Sequence, residues 1–161
     1  MEKNIIVRKA RKDDYKQVNE LVKEVHRIHI ENRSDIYKDC NPIDFESYEE
    51  EIANTNNIYL VAEINNIVLG ICFAEVKRIL NNKIMKDRTI IQIINICVKK
   101  ENRKKGIGTQ LYNEILKIAE QLKVDSVELI VWEFNNNAIN FYKKLGMNLE
   151  NLRFEQKIMN K

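Results

Sequence analysis

The chain has 161 residues, 44% hydrophobic and 32% charged, with 27 Lys and Arg against 24 Asp and Glu for a formal net charge of +3. That length fits a single domain over 1–161 with a sizeable core and is too short for two. The near balance of charge argues against a nucleic-acid partner, whose binders carry a global basic excess, so basic function here is local.

No stretch approaches the length needed to cross a bilayer, and Met1 to Val7 holds no long apolar segment, so a cytoplasmic protein without a membrane partner is expected. Cys40, Cys72 and Cys97 are odd in number and lack C-x-x-C spacing, and two of them lie in apolar runs. Buried thiols in a reducing compartment are expected, with neither a disulfide framework nor a zinc site.

In chain order, Asn4 to Arg8 reads as a short strand. Asp13 or Asp14 then caps a helix whose apolar residues Tyr15, Val18, Leu21, Val22, Val25 and Ile28 recur at helical spacing. Ser34 to Pro42 is irregular. Asp44 caps a short helix with Phe45, Tyr48 and Ile52 on one face, closed by Asn54 to Asn57. Ile58 to Ile64 and Ile67 to Val76 form a hairpin through Asn65-Asn66, because Asn tolerates the positive φ of a tight turn. After a polar loop near Asn81 to Asp87, the apolar run Thr89 to Val98 predicts a central strand buried on both faces.

The next helix, Thr109 to Leu122, is expected to bury Leu111, Ile115, Ile118, Ala119 and Leu122, and Ser126 to Trp132 returns as a strand, giving a β-α-β unit. Asn137 to Leu145 forms a last helix with Gly146 as its left-handed cap, and Met147 to Leu152 pairs with Arg153 to Ile158 as a terminal hairpin. The fold class is mixed α/β, with about seven strands in the order β-α-α-β-β-β-α-β-α-β-β.

Between the central strand and the helix that follows, the chain reads Arg103-Lys-Lys-Gly106-Ile-Gly108. A strand ending in a glycine turn that opens a helix makes an anion site, since the first helical N–H groups lack intrahelical acceptors and the helix dipole favours negative charge. One glycine permits a left-handed turn, and the other removes a side chain that would hold a pyrophosphate off the amides. Arg103, Lys104 and Lys105 add charge where such a ligand carries it. The bland alternative is a basic turn that caps a helix.

The strand Ile96-Cys97-Val98, the turn Arg103-x-x-Gly106-x-Gly108, and Asn135-x-x-Ala138-x-x-Phe141-Tyr142-x-x-x-Gly146-Met147 together resemble the GCN5-related N-acetyltransferase (GNAT) superfamily. The element order matches over essentially the whole chain. The resemblance implies the GNAT acyl-CoA N-acyltransferase fold and an enzyme using acetyl-coenzyme A as acyl donor without a metal. The pantetheine arm would enter a gap beside Ile96, Cys97 and Val98 and pair with the backbone of Ile96 and Val98, replacing a missing strand. The pyrophosphate would rest on the amides of Lys104, Lys105, Gly106, Ile107, Gly108 and Thr109, with Arg103 nearby. Asn135, with Ala138 and Tyr142 in the same motif, matches the positions that contact the coenzyme arm.

A thioester is already reactive toward a neutral amine held beside it, so positioning carries much of the catalysis. The resemblance gives the Val98 backbone N–H to the developing oxyanion and Tyr142 to protonation of the departing thiolate, although the helical spacing of Tyr142 from Ala138 and Leu145 also suits a core residue. Where many relatives carry a glutamate four residues before the valine, this chain has Ile94, followed by Asn95. A water chain, Glu133, Glu75 or a histidine remains as the base. His26 and His29 are three apart but lack a third metal ligand at suitable spacing. His29, Asp35 and Tyr37 are the candidates for acceptor contact.

From Asp39 to Glu51 there are six acidic residues and no Lys or Arg, whereas Lys99 to Lys105 holds five bases and one acid. This distribution suits an anionic coenzyme and a small cationic amine, or else is a solvated charged helix face. A dinucleotide fold and a P-loop are excluded, since neither G-x-G-x-x-G by an early strand nor Gly-Lys-Ser/Thr occurs. A non-catalytic acyl-coenzyme A sensor, a protein or peptide N-acetyltransferase, and a nucleic-acid surface over Lys99 to Lys105 are the alternatives. A homodimer is an open expectation drawn from the family.

Overall fold

The computed structural model describes residues 4–158. Among them, five strands form one sheet in chain order: β1 (Ile6–Lys9), β2 (Asn57–Ile64), β3 (Ile67–Ile79), β4 (Arg88–Val98) and β5 (Ser126–Leu129). Neighbours are antiparallel up to β4, and β5 runs parallel to β4. Two compact units are present, one ending at Ile130 and the other beginning at Val131.

In the first unit, side-chain alternation sorts the sheet into two apolar faces. Val61, Ile71, Phe73 and Cys97 pack with Val18 and Leu21 of α1 (Tyr15–Asn32) and with Tyr48 of α2 (Phe45–Ala53). The opposite face receives α3 (Ile107–Leu122), which lies so close to β3 that a Cβ on Gly70 would meet Ile107, Leu111 and the Cys97 carbonyl at 3.0 to 3.2 Å. Leu21, Ile71, Ile91 and Leu111 are fully buried, and each such side chain stabilises the fold by ~1.5–3 kcal/mol.

Local chemistry sets the connections as the sequence predicts. Asn65 and Asn66 both have positive φ, 51° and 64°, in the β2–β3 hairpin. The Asp44 carboxylate accepts from Ser47 N at 2.8 Å to cap α2.

Other expectations are corrected. Asp14 occupies the N-cap position of α1 as expected, but its side chain makes no cap bond: it closes a 3₁₀ turn (Lys12–Asp14), and its carboxylate accepts two bonds from Arg8 and one from Arg11 N. Arg8 also pairs with Glu63, making a largely buried acid–base trio between β1, β2 and the turn. The strand β4 is not buried on both faces, because Ile94 bulges out of the ladder and is 53% exposed. Leu122 is 51% exposed and Ile118 only half-buried, since the last turn of α3 ends at the left-handed Lys123; Ile107 and Tyr112 are buried instead.

The fifth strand, expected to run to Trp132, stops at Leu129, opposite Ile93 and one residue before the bulge at Ile94. The second unit holds α4 (Asn136–Lys144), followed by Gly146 at φ 89° as the left-handed residue after the helix. Residues 147–158 form no hairpin, so the sheet has five strands instead of about seven. Leu149, Leu152, Phe154 and Ile158 are more than two-thirds exposed, and alternation alone cannot hold two strands that bury no face. No described helix is long and apolar enough to cross a membrane.

Candidate active site

The ladder between β4 and β5 pairs Ile90 with Ser126 and ends with Ile93 opposite Leu129. Beyond it, β4 continues from Ile94 to Val98 with β3 as its strand partner on one side, and β5 has no residue opposite Ile96, Cys97 or Val98. The bulge at Ile94 lets Ile93 face α3 while Asn95 and Cys97 face α1. β5 thereby leaves the carboxyl end of β4 without a strand on that side, and an unpaired strand edge offers backbone groups to an extended polar ligand.

Immediately downstream the chain makes a 3₁₀ turn (Lys100–Asn102), passes through Lys104 at φ 62°, and reaches Gly106 at φ 79° as the N-cap of α3. No side chain caps this helix, and Gly106 contributes the carbonyl that accepts from Gln110 N at 3.0 Å. The first turn of a sixteen-residue helix thus presents its N–H groups beside Gly106, Ile107, Gly108 and Thr109. Gly106 occupies the left-handed position that the sequence assigned to one of the two glycines.

Two of the turn's basic side chains point back to carbonyls: Lys105 Nζ donates to Glu101 O at 2.9 Å, and Arg103 Nε donates to Val98 O at 2.9 Å. Arg103 also reaches 3.6 Å from the Glu24 carboxylate on α1. The Cys97 thiol donates to Leu21 O at 3.6 Å; burial first and then the Glu24 charge push it up to about 12, against the pull of Arg103. At neutral pH it is a packed thiol and not a nucleophile.

His29, Asp35 and Tyr37 gather at the end of α1 and the loop that follows. The His29 and Tyr37 rings stack at 4.9 Å, His26 meets Tyr37 edge-on, and Arg33 holds Asp35 through two bonds of 2.9 and 3.0 Å. Burial, with His26 adding charge repulsion, lowers the His29 imidazole below its usual range. In the second unit, Asn135 Oδ1 accepts from Ala138 N at 3.2 Å and caps α4, while Tyr142 is half-buried with its ring 5.3 Å from Phe141. Glu133 is exposed. Glu24 is not marked by the sequence: its helical spacing from Leu21 is visible, but nothing local indicates the turn it faces.

The profile of the Acetyltransferase (GNAT) family matches residues 22–147, and the chain belongs to that family of acetyl-coenzyme A-dependent acyltransferases. Among curated proteins, it is 27% identical over 153 residues to an L-amino acid N-acetyltransferase, AaaT, of Escherichia coli (strain K12), covering 91% of this chain and 84% of that one. It is 43% identical over 54 residues to an L-ornithine N5-acetyltransferase, NATA1, of Arabidopsis thaliana, a match to 34% of this chain and 24% of the relative. The crystal structure of a tetramutant of the BH1408 protein from Bacillus halodurans superposes with a TM-score of 0.91 at 26% identity, over 95% of this chain and 99% of that one.

Proposed function

We propose that the protein transfers the acetyl group of acetyl-coenzyme A to the primary amine of a small cationic acceptor by direct attack in a ternary complex. The observation that carries this reading is the stretch of β4 from Ile96 to Val98, which has no β5 residue opposite it and is set directly before a glycine turn that starts a helix with uncapped N–H groups. Ile96, Cys97 and Val98 take the pantetheine arm. Arg103, Lys104, Lys105, Gly106, Ile107, Gly108 and Thr109 take the pyrophosphate. Asn135, Ala138 and Tyr142 serve the coenzyme by their match to the family pattern.

The neutral amine attacks the thioester carbon, a C–N bond forms, and the C–S bond breaks as the carbonyl oxygen passes through a charged state facing the Val98 N–H. Tyr142 donates a proton to the departing thiolate. The proton lost by the amine leaves through water or through Glu133 or Glu75. Holding the two reactants together supplies ~7–11 kcal/mol of barrier reduction, which is why so few special groups are required.

A cationic acceptor suits the acidic composition of the run from Asp39 to Glu51, and His29, Asp35 and Tyr37, gathered at the end of α1 and the loop after it, are the acceptor contacts. Relatives named for L-amino acid and L-ornithine acetylation support the small-molecule class. The test is thiol release from acetyl-coenzyme A across amino acids, diamines, aminoglycosides and a lysine peptide. Turnover with small amines alone supports the reading; turnover with the peptide alone, or coenzyme binding without turnover on any amine, replaces it.

A further inference from the structure

A cleft of about 500 Å³ opens between α1 and the Lys99 to Lys105 turn, bordered by Glu24, Arg27, Ile28 and Glu31 on the helix and by Lys100, Glu101 and Arg103 on the turn. The coenzyme reading uses the turn but not the carboxylate across from it. Leu21, Glu24, Ile28 and Glu31 follow one another at steps of three and four along α1, so a single stripe carries a buried anchor and then two carboxylates. Leu21 O is fixed to Cys97 Sγ, which places the next turn of the helix, with Glu24, over the end of β4. Arg103 bridges the two, bonded to Val98 O through Nε and 3.6 Å from Glu24 through Nη2. Glu24 thus stands one guanidinium away from the residue whose backbone flanks the acyl group.

We propose that Glu24 recognises a second ammonium on a diamine acceptor, and that Arg103 covers this carboxylate until an anionic coenzyme draws the guanidinium away. The inference rests on the assignment of the β4 edge to the coenzyme. The ammonium held is not the attacking one, because a carboxylate that keeps a nitrogen charged opposes its attack. Arg103 and Glu24 are 45% and 40% exposed, so water screens their pair and it exchanges readily. A diphosphate offers Arg103 stronger, charge-assisted bonds than a distant carboxylate. Coenzyme would therefore bind first and uncover the acceptor's ligand, coupling the two sites.

The test compares wild type, Glu24→Gln and Glu24→Asp in steady-state kinetics with putrescine and with n-butylamine, which has no second ammonium, and in calorimetric titration with acetyl-coenzyme A. For Glu24→Gln, KM for putrescine should rise about tenfold or more while that for n-butylamine stays within about twofold, as loss of one charged contact requires. Coenzyme affinity should tighten about twofold to fivefold as Arg103 loses its competitor. Glu24→Asp should recover most of the putrescine KM. Equal effects on both amines, unchanged or weaker coenzyme affinity in Glu24→Gln, or failure of the wild type to acetylate putrescine would overturn the Glu24 assignment alone. Absence of acetyl-coenzyme A binding to the wild type would instead overturn the coenzyme site on which it rests.

Discussion

Ile93 stands opposite Leu129 in parallel register and is the last residue of β4 with a β5 partner. The next residue bulges, and the five positions from there to Val98 have lost the strand that the ladder's course would supply. A sheet interrupted in this way gains from a ligand that behaves like a strand.

Acetyl-coenzyme A at a hundredfold excess over its Kd should therefore stabilise the fold by ~2.7 kcal/mol, seen as a rise in Tm by thermal denaturation. In Gly106→Val the shift should vanish. A Cβ there meets no heavy atom within 4 Å, so the damage comes from φ 79° alone, a conformation that costs a side chain ~1–2 kcal/mol and displaces the amides of the turn. A retained shift would remove the turn from the coenzyme site.

On the role proposed for Tyr142 as acid for the departing thiolate, Tyr142→Phe should lower kcat by at least about tenfold while leaving acetyl-coenzyme A affinity nearly constant. Equal turnover in the two proteins would make Tyr142 a packing residue.

Gly70→Ala should destabilise the protein by ~1–3 kcal/mol, as overpacking does. The new methyl would press on the Cys97 carbonyl at 3.0 Å, with Ile107 at 3.1 Å and Leu111 at 3.2 Å. Because it separates α3 from the end of β4, it should also weaken coenzyme binding. Urea denaturation and titration of the same variant measure both effects.

The Asp14 carboxylate, held by Arg8, should give the protein an acid limb. Burial raises the Asp14 carboxyl, but hydrogen bonds from Arg8 and from Arg11 N outweigh it and hold the group below its usual value. Its contribution is complete above the unfolded pKa of ~3.9 and is lost as pH falls through the lower folded value. Asp14→Asn should be less stable at pH 7 and show a flatter loss below about pH 4 in denaturant melts. Arg8→Met, which strands two carboxylates, should cost ~3–5 kcal/mol at neutral pH.

Features fixed by a few adjacent residues could be read in advance. Asn65-Asn66, the Asp44 cap, the left-handed Gly106 and Gly146 all follow from local dihedral preference or a side chain reaching its own backbone. Features that depend on distant partners could not. Arg8 is separated by 55 positions from Glu63, and its trio shows in no periodicity. The run from Ile90 to Val98 is apolar almost throughout, so a bulge within it leaves the pattern unchanged. The basic turn and its left-handed glycine were legible locally, whereas the turning of Arg103 toward α1 required the helix to be in place. The tail from Met147 to Ile158 carries strand-like alternation without a face to bury, and pattern alone overstated it.

The bulge also changes what the chain can tolerate in length. Loss of one residue from an internal strand normally transposes its inner and outer rows, which is ruinous. Ile94 is supernumerary to the β3 ladder, so excising it would leave Asn95 and Cys97 on their own side and Ile96 and Val98 on theirs. Such a shortened protein should still fold, yet with a straighter strand and a narrower cleft. Folding competence and reactivity would part company at this single position.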